Sequence, residues 1–370
     1  MIDQGFPLID YSATDTPLQW GKQHGEEFKS GIKELVEIRT ELMLAKNPSV
    51  KPHLDDLALK QWNISKEFAP ELTFEMEGIY KGANISLTDI VILNNYTDFR
   101  DLTLPEEGCS TIHVQRGKKV FTGQTWDMHG TAKNYVCLVK TPATKDIFSS
   151  VNFSLVGCVG MMGVNSLGCV VGVNNINTQN AKVGLIWPLL VRKLLKENKL
   201  QNIKDKLLSA PVTSGHNYLL STIEGGAHLE ITPEIKEEVL SCYTGDNKVL
   251  FHTNHCLGEE IKVLEDQSSI SSTTHARYNI LKREIENVNS ISALISLLTD
   301  HQEFPKSICS HYESGAQDPS FTCGGGAIDL TDGNKCFSEF WRGCEVHDDN
   351  FKKLRFELQD SEFGKEFKLV

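Results

Sequence analysis

Apolar side chains recur at helical spacing through the first hundred residues. After Trp20 and again after Pro70 they return every three or four positions, a spacing that predicts helices packed through one face. These positions are Phe28, Ile32, Leu35 and Leu42 in the first run and Leu72, Met76, Ile79 and Ala83 in the second. Gly21 and Gly25 lie in the first run, where they allow a neighbouring element to approach closely. Residues 1–108 are therefore predicted to be mainly helical.

Beyond residue 109 the pattern changes to an alternation of apolar and polar residues, which is typical of strands. The alternating segments are 111–114, 119–126, 135–140, 151–156 and 169–173. We expect these segments to form one antiparallel meander. Helical spacing returns after Pro188 and around Ile203, and it stops at Pro211. A second block of strands is predicted over residues 217–251.

The last third of the chain repeats this order. Thr273 or Thr274 is predicted to cap one helix and Ser290 another, and strands over 326–330 and 335–340 follow. Two rounds of strands followed by helices predict sheets with helices packed outside, which is an α+β sandwich. Because no internal repeat or linker interrupts the chain, we expect one domain over residues 1–370.

Charge and hydropathy restrict the partners. The chain has 37 Lys and Arg against 49 Asp and Glu, a formal net charge of −12. This balance argues against a nucleic acid or an anionic membrane as partner, since both favour a basic surface. No signal peptide and no apolar run long enough to span a bilayer stand out. We expect a cytoplasmic protein that acts on a small molecule.

The ten cysteines occur singly, without the paired spacing of zinc ribbons or redox motifs. Most are therefore interpreted as reduced core residues. His252, His255 and Cys256 are candidate zinc ligands, but neighbouring side chains of a strand point to opposite faces, which argues against a shared ion. We expect no metal and no cofactor, and a non-catalytic sandwich that binds a metal or ligand is the alternative class.

Cys109 has a distinctive setting, in the segment Glu107-Gly108-Cys109-Ser110-Thr111. Its sulfur can attack the carbonyl of Gly108, which has no Cβ to hinder approach, and water can hydrolyse the resulting thioester. Cys109 would then be a new N-terminus, and its α-amino group, with a pKa of about 7.7–8.0, can take the thiol proton. The alternative is a buried structural cysteine at a strand start.

Further motifs follow in a fixed order. They are Gly78 to Gly82 with Leu93-Asn94, Gly108-Cys109-Ser110-Thr111, Gly123-Gln124-Thr125-Trp126-Asp127, Gly163-Val164-Asn165-Ser166-Leu167-Gly168, His252-Thr253-Asn254-His255 and Ser307-Ile308-Cys309. With these six motifs in this order, the chain resembles the acyl-coenzyme A:6-aminopenicillanic acid acyltransferase family of N-terminal nucleophile hydrolases, whose members self-cleave before a cysteine. The resemblance implies a four-layer αββα sandwich and one cut into 1–108 and 109–370.

The resemblance also implies residue roles. Asp127 would help hold the new α-amino group, which suits a buried carboxylate beside an ammonium. Asn254 would donate to the oxyanion, and Asn175, favoured over Asn174, would be a substrate-site asparagine. Arg277 would stabilise the thiolate or the acyl oxygen.

Two positions depart from the family pattern. Thr125 stands where relatives have an asparagine, and the C-terminal Gly-Pro-Pro-like motif is Arg342-Gly343-Cys344 here. Neither departure touches the nucleophile, although both alter the shape of the substrate site.

Two half-reactions are expected. The Cys109 thiolate forms an acyl-enzyme from a small N-acylated amine, N-acylated amino acid or acyl thioester, and water or an amine resolves it. We favour amide hydrolysis over transfer from coenzyme A, because its phosphates favour basic groups and the motifs contain no Lys/Arg cluster. The expected partners are this substrate, with a coenzyme A thioester as the alternative, and the two cleaved chains for each other. Homo-oligomer formation is left open.

Overall fold

Two β-sheets lie at the centre of the protein. The computed structural model describes residues 5–101, 109–311, 321–332 and 336–370. Gly108, on one side of the predicted cut, lies outside these ranges, as does residue 335, where a strand was predicted to begin. Within them the strands form an eight-stranded and a seven-stranded sheet.

The helices and strands of these ranges are numbered in chain order. The helices are α1 (Pro17–Glu27), α2 (Lys29–Lys46), α3 (Leu54–Phe68), α4 (Pro70–Ala83), α5 (Leu87–Asp101), α6 (Trp187–Leu194), α7 (Leu200–Ser209), α8 (Glu259–Lys262), α9 (Thr274–Glu284) and α10 (Ile291–Leu298). The strands are β1 (Leu8–Asp10), β2 (Thr111–Arg116), β3 (Lys119–Met128), β4 (Val136–Thr141), β5 (Ser150–Leu155), β6 (Met162–Asn165), β7 (Val170–Asn175), β8 (His216–Thr222), β9 (Gly225–Ile231), β10 (Lys236–Tyr243), β11 (Asn247–His252), β12 (Phe321–Asp329), β13 (Phe337–Arg342), β14 (Lys352–Ser361) and β15 (Gly364–Leu369).

The larger sheet has the order β1-β4-β5-β6-β7-β8-β9-β10, and the smaller has the order β11-β2-β3-β12-β13-β14-β15. The sheets face each other: Val173 N–H of β7 donates to Gln124 Oε1 of β3 at 2.9 Å, and His113 Nδ1 of β2 lies 2.8 Å from Ser221 Oγ of β8. Helices α6 and α7 pack on the larger sheet, and α9 and α10 pack on the smaller one. The α+β, four-layer αββα sandwich is therefore confirmed.

Most local predictions are confirmed, and the largest error concerns the pairing between strands. The expected single meander is wrong, because β2 and β3 belong to the smaller sheet whereas β4 to β7 belong to the larger. Strands β14 and β15 were not predicted. Ser290 caps α10 by accepting a hydrogen bond from Ala293 N–H, but the Thr273 side chain makes no cap hydrogen bond to α9. No helix in the described ranges is long and apolar enough to cross a membrane.

The close helix approach predicted from the glycine pair is confirmed. A Cβ on Gly21 would lie 1.8 Å from the carbonyl oxygen of Glu75, and one on Gly25 would lie 2.2 Å from that of Ile79. Gly78, on the facing helix, meets the Leu18 carbonyl oxygen in the same way, at 2.2 Å. Helices α1 and α4 therefore pack backbone to backbone, which only glycine permits.

We expect Gly25→Ala to destabilise the protein. The added methyl group meets rigid backbone, and overpacking of this kind costs about 1–3 kcal/mol of the free energy of unfolding. The same change in an exposed helix would stabilise by about 1 kcal/mol, so the sign is informative. Urea unfolding measures it, with Gly5→Ala as the control because a Cβ there contacts nothing within 4 Å. A Gly25→Ala protein as stable as the wild type would contradict the packing argument.

Candidate active site

Cys109 lies two residues before β2, and hydrogen bonds hold all three of its polar groups. Its N–H donates to Asn254 Oδ1 at 2.6 Å, and its carbonyl oxygen accepts from Arg277 Nη1 at 2.6 Å. Its thiol points to the carbonyl oxygen of Asp127, 3.8 Å away. The side chain is buried. Four of the predicted site residues thus meet at one point.

The hairpin of β2 and β3 explains this position. The Ser110 N–H donates to Thr125 Oγ1 at 3.1 Å, and the Thr125 N–H donates back to the Ser110 carbonyl oxygen at 3.0 Å. The residue after the candidate nucleophile is therefore held from both sides. Thr125, which departs from the family pattern, fixes the start of β2 through its hydroxyl group. Asp127 lies two residues further along β3, on the same face.

Arg277 is fully buried in the first turn of α9 and connects the groups around Cys109. Besides the Cys109 carbonyl, Nη1 donates to Ser110 Oγ at 3.1 Å, Nη2 to Asn254 Oδ1 at 2.9 Å and Nε to Thr273 Oγ1 at 3.1 Å. The planar guanidinium fixes several acceptors at once, which a lysine could not do. Arg277 therefore binds both the main chain of Cys109 and the side chain of Asn254.

Asn254 follows β11, and its side chain has a defined orientation. Oδ1 accepts from Cys109 N–H and Arg277, so the amide nitrogen must face the other way. Nδ2 donates to the carbonyl oxygen of Asn175 at 2.8 Å. The amide group has two hydrogens, and the second has no acceptor among the residues that the structure describes. This second hydrogen can serve a further acceptor, and the role of Asn254 as oxyanion donor stays a prediction.

The two neighbouring asparagines of β7 have different surroundings. Asn175 contributes its carbonyl oxygen to Asn254, while its side-chain Nδ2 donates to Asn177 Oδ1 at 2.9 Å. Asn174 accepts through Oδ1 from Thr111 Oγ1 at 3.1 Å. Asn175 thus contacts Asn254, and Asn174 contacts Thr111 at the start of β2. A substrate role for the Asn175 side chain stays a prediction.

Asp127 is buried, and in the part of the chain that the structure describes its carboxylate oxygens have no hydrogen-bond partner. Burial raises the pKa of this carboxyl from 3.8 to about 6, against the opposing charge of Arg277. In the uncut chain Cys109 has a single N–H, which bonds Asn254. A free α-ammonium would have three hydrogens, so the predicted contact to Asp127 stays a prediction for the cut form.

A row of polar residues behind the site was missed by the sequence analysis. Asn174, Asn217 and Glu230 are cross-strand neighbours on β7, β8 and β9, and Asn217 Nδ2 donates to Asn174 Oδ1 at 2.7 Å. Glu230 Oε1 lies 2.7 Å from His252 Nε2. In the sequence, Asn217 and Glu230 are visible as polar residues within otherwise apolar strands. That they are neighbours becomes apparent only when the pairing of the strands is known. His252 thus binds a carboxylate, and within the described ranges no three-ligand group includes it.

Comparison with known proteins adds two weak likenesses of structure. A Caenorhabditis elegans N-acylethanolamine-hydrolyzing acid amidase (NAAA) ortholog superposes with a TM-score of 0.42 at 11% sequence identity, over 60% of this chain and 92% of that one. Penicillin V acylase from Agrobacterium tumefaciens superposes with a TM-score of 0.32 at 12% identity, over 67% of this chain and 90% of that one.

The sequence comparisons are more extensive. The 40 kDa form of acyl-coenzyme A:6-aminopenicillanic-acid-acyltransferase from Emericella nidulans is 26% identical over 322 residues, which is 83% of this chain and 86% of that protein. The family model of acyl-coenzyme A:6-aminopenicillanic acid acyl-transferase matches residues 114–321, a span that contains Asp127, Asn175, Asn254 and Arg277 and begins just after Cys109. Because that match covers more than half of the sequence, the chain belongs to the acyl-coenzyme A:6-aminopenicillanic acid acyl-transferase family.

Proposed function

We propose that this protein is a self-processing N-terminal cysteine enzyme that transfers acyl groups from small amides or thioesters through Cys109. The observation that carries the proposal is the environment of Cys109, whose N–H, carbonyl and thiol each bond a different predicted site residue. The thiols of Cys158 and Cys169 differ from this arrangement, since within the described ranges neither contacts a predicted site residue. Burial raises the pKa of Cys158 to about 11 and that of Cys169 to about 12, which leaves both thiols protonated at neutral pH.

The first step of the proposal is the cut, within one domain of residues 1–370. The Cys109 sulfur forms a bond to the Gly108 carbonyl carbon, the bond from that carbon to the Cys109 nitrogen breaks, and the nitrogen takes the thiol proton. Water then hydrolyses the thioester to a Gly108 carboxylate and a free thiol. The zymogen thereby becomes chains 1–108 and 109–370, and Cys109 gains its own amine as base.

The two chains have reason to stay together after the cut. Glu75 of α4 and Arg192 of α6 form a buried ion pair with 3.1 Å between Oε2 and Nη2. Tyr11, on the same side of the cut as Glu75, donates to Glu75 Oε1 at 3.1 Å and so helps to fix this carboxylate. Apolar residues from both sides of residue 108 share one buried cluster, among them Ile79 and Leu138. Breaking a buried pair of this kind typically costs about 3–5 kcal/mol.

The second step is acylation by substrate. The Cys109 thiolate attacks the acyl carbonyl, Asn254 Nδ2 donates to the oxyanion, and the α-ammonium protonates the leaving amine or thiol. Asp127, buried beside the thiol, is the proposed charge partner of that ammonium. Arg277 holds Asn254 in the orientation that presents Nδ2. Water releases the acyl group in the hydrolase, whereas an amine accepts it in the transferase.

Hydrolysis of an N-acylated amine or amino acid is the reaction we place first. Transfer from coenzyme A to an amine is the second candidate, and the name of the Emericella nidulans relative favours it. The two reactions share the acyl-enzyme and differ in what discharges it. An experiment can therefore distinguish the two reactions by the acceptor of the acyl group, water or an amine, but not by the nucleophile.

Trapping the acyl-enzyme tests the proposal. The protein is incubated with a panel of acyl-coenzyme A thioesters and N-acylated amines or amino acids, and the mass of the 109–370 chain is measured. We expect an added acyl mass located at Cys109 on peptide mapping. Discharge by water alone identifies the hydrolase, and discharge that requires an amine identifies the transferase. A chain that no donor labels would favour the non-catalytic binding protein instead.

A further inference from the structure

Four metal-binding side chains converge at a place remote in sequence from Cys109. They are His301, Cys309, His311 and Cys344, and their ligand atoms all lie within 4.8 Å of one another. The two cysteines are buried and the two histidines are half-buried. Nothing in the proposed acyl transfer uses these residues.

The distances within this cluster match those of a metal site. His301 Nε2 lies 3.2 Å from His311 Nε2, Cys309 Sγ lies 3.3 Å from His311 Nε2, and Cys344 Sγ lies 3.3 Å from His301 Nε2. Zinc bonds of about 2.3 Å to sulfur and about 2.0–2.1 Å to nitrogen give a tetrahedron whose corners are about 3.3–3.8 Å apart. These three distances are close to the edges of such a tetrahedron, and the remaining pairs of ligand atoms lie within 4.8 Å, so a small contraction closes the site around one ion.

Main-chain hydrogen bonds hold the ligands in place. Cys309 N–H donates to the carbonyl oxygen of Asp300, the residue before His301, at 3.0 Å. Cys309 and His311 flank Ser310, and their ligand atoms face each other, with 3.3 Å between Cys309 Sγ and His311 Nε2. Gly343, just before Cys344, has a φ of +74° and donates to the Cys323 carbonyl oxygen at 2.9 Å. The loop after α10 and the turn after β13 are therefore brought together by the fold itself.

We propose that His301, Cys309, His311 and Cys344 bind one Zn²⁺ ion in a closed, tetrahedral site. Two sulfur and two nitrogen ligands in this geometry are typical of zinc. Each cysteine releases its thiol proton to solvent on binding. Four protein ligands leave no open position, so the ion is structural and does not activate water.

The segment that carries Cys309 and His311 is hydrogen-bonded to strand β12, which indicates the structural role of the ion. Between the ligands Cys309 and His311, Ser310 exchanges two hydrogen bonds with Thr322: Thr322 N–H donates to the Ser310 carbonyl at 2.7 Å, and Ser310 N–H donates to Thr322 Oγ1 at 2.9 Å. Thr322 of β12 is the cross-strand partner of Asp127. The ion fastens this segment to the strand that packs beside the candidate active site.

Metal content of the full chain tests the proposal. The protein is expressed with ZnCl₂, purified without chelator, desalted and measured by elemental mass spectrometry. We expect about one zinc ion per chain. Cys309→Ser, Cys344→Ser, His301→Asn and His311→Asn should each lose most of the metal. The matched controls are Cys242→Ser, a buried cysteine of β10, and His347→Asn, an exposed neighbour whose ring lies 5.0 Å from that of His301.

A second measurement avoids variants that fail to fold. Wild-type protein grown with Co²⁺ in place of zinc should show tetrahedral ligand-field bands and a thiolate-to-cobalt charge-transfer band. Cys109→Ala should show the same bands, because its sulfur is not a ligand. Metal-free wild-type protein would overturn the site, and so would a Cys309–Cys344 disulfide, seen as a mass lower by two hydrogens. Full metal in folded Cys309→Ser, or equal loss in His347→Asn, would overturn this ligand set.

Discussion

Replacing Cys109 by alanine is expected to leave a full-length chain that turns over no substrate. The sulfur performs both proposed reactions, attack on Gly108 and attack on the substrate, so a methyl group removes both. The wild type should appear as two chains, and the larger should begin at Cys109. Intact mass and N-terminal sequencing measure the cut, and release of product from the acyl donor panel measures activity. The expected loss is complete, since no other residue supplies the nucleophile.

Cys109→Ser separates the two functions of the residue. A hydroxyl is a poorer nucleophile in the same place, so slow cutting is expected with much weaker activity. Substitutions at Cys158, Cys169, Cys242 and Cys336 serve as controls and should change stability only, because burial raises the pKa of each thiol. A wild-type chain that stays at full length while turning over substrate would contradict the proposed self-processing. Acylation that persists in Cys109→Ala would show that the nucleophile was misassigned.

The fold was predictable from the sequence where the information is local. Helix α4 and strands β2 and β3 are visible in apolar spacing because each is specified by its own residues. The division of the strands between two sheets is not visible, because any alternating strand can pair with several others. Strands β14 and β15 were missed although a signal was present, since Leu354, Phe356 and Leu358 alternate with charged or polar residues in β14.

The candidate site divides in the same way. The grouping of Cys109, Asp127, Asn254 and Arg277 came from ordered motifs, and the structure brings these residues together. The Asn174, Asn217 and Glu230 row could not be foreseen, since it depends on the register of three strands. The cluster of His301, Cys309, His311 and Cys344 was missed because its cysteines lack the paired spacing of common metal motifs. His301 and Cys344 are far apart in sequence, and only the packing of α10 and β13 on one sheet unites them.

The geometry of Asn254 gives it two separable roles. Oδ1 accepts hydrogen bonds from Cys109 N–H and Arg277, which positions the nucleophile. Nδ2 donates to the Asn175 carbonyl and retains one hydrogen, which is the proposed donor to the oxyanion. A substitution that removes both roles cannot distinguish them. A substitution that keeps the acceptor and removes the donor can.

Asn254→Ala is expected to slow acylation about 10²–10³-fold, because loss of one oxyanion donor costs about 2.7–4 kcal/mol in the transition state. Asn254→Asp keeps an oxygen that faces Cys109 and Arg277 but has no N–H to donate. If the donor matters most, the aspartate variant should acylate as slowly as the alanine variant. Single-turnover labelling of the 109–370 chain measures the rate, thermal unfolding confirms that both variants are folded, and intact mass confirms that both are cut. An aspartate variant near the wild-type rate would assign Asn254 to positioning alone, and an alanine variant at that rate would remove it from the mechanism.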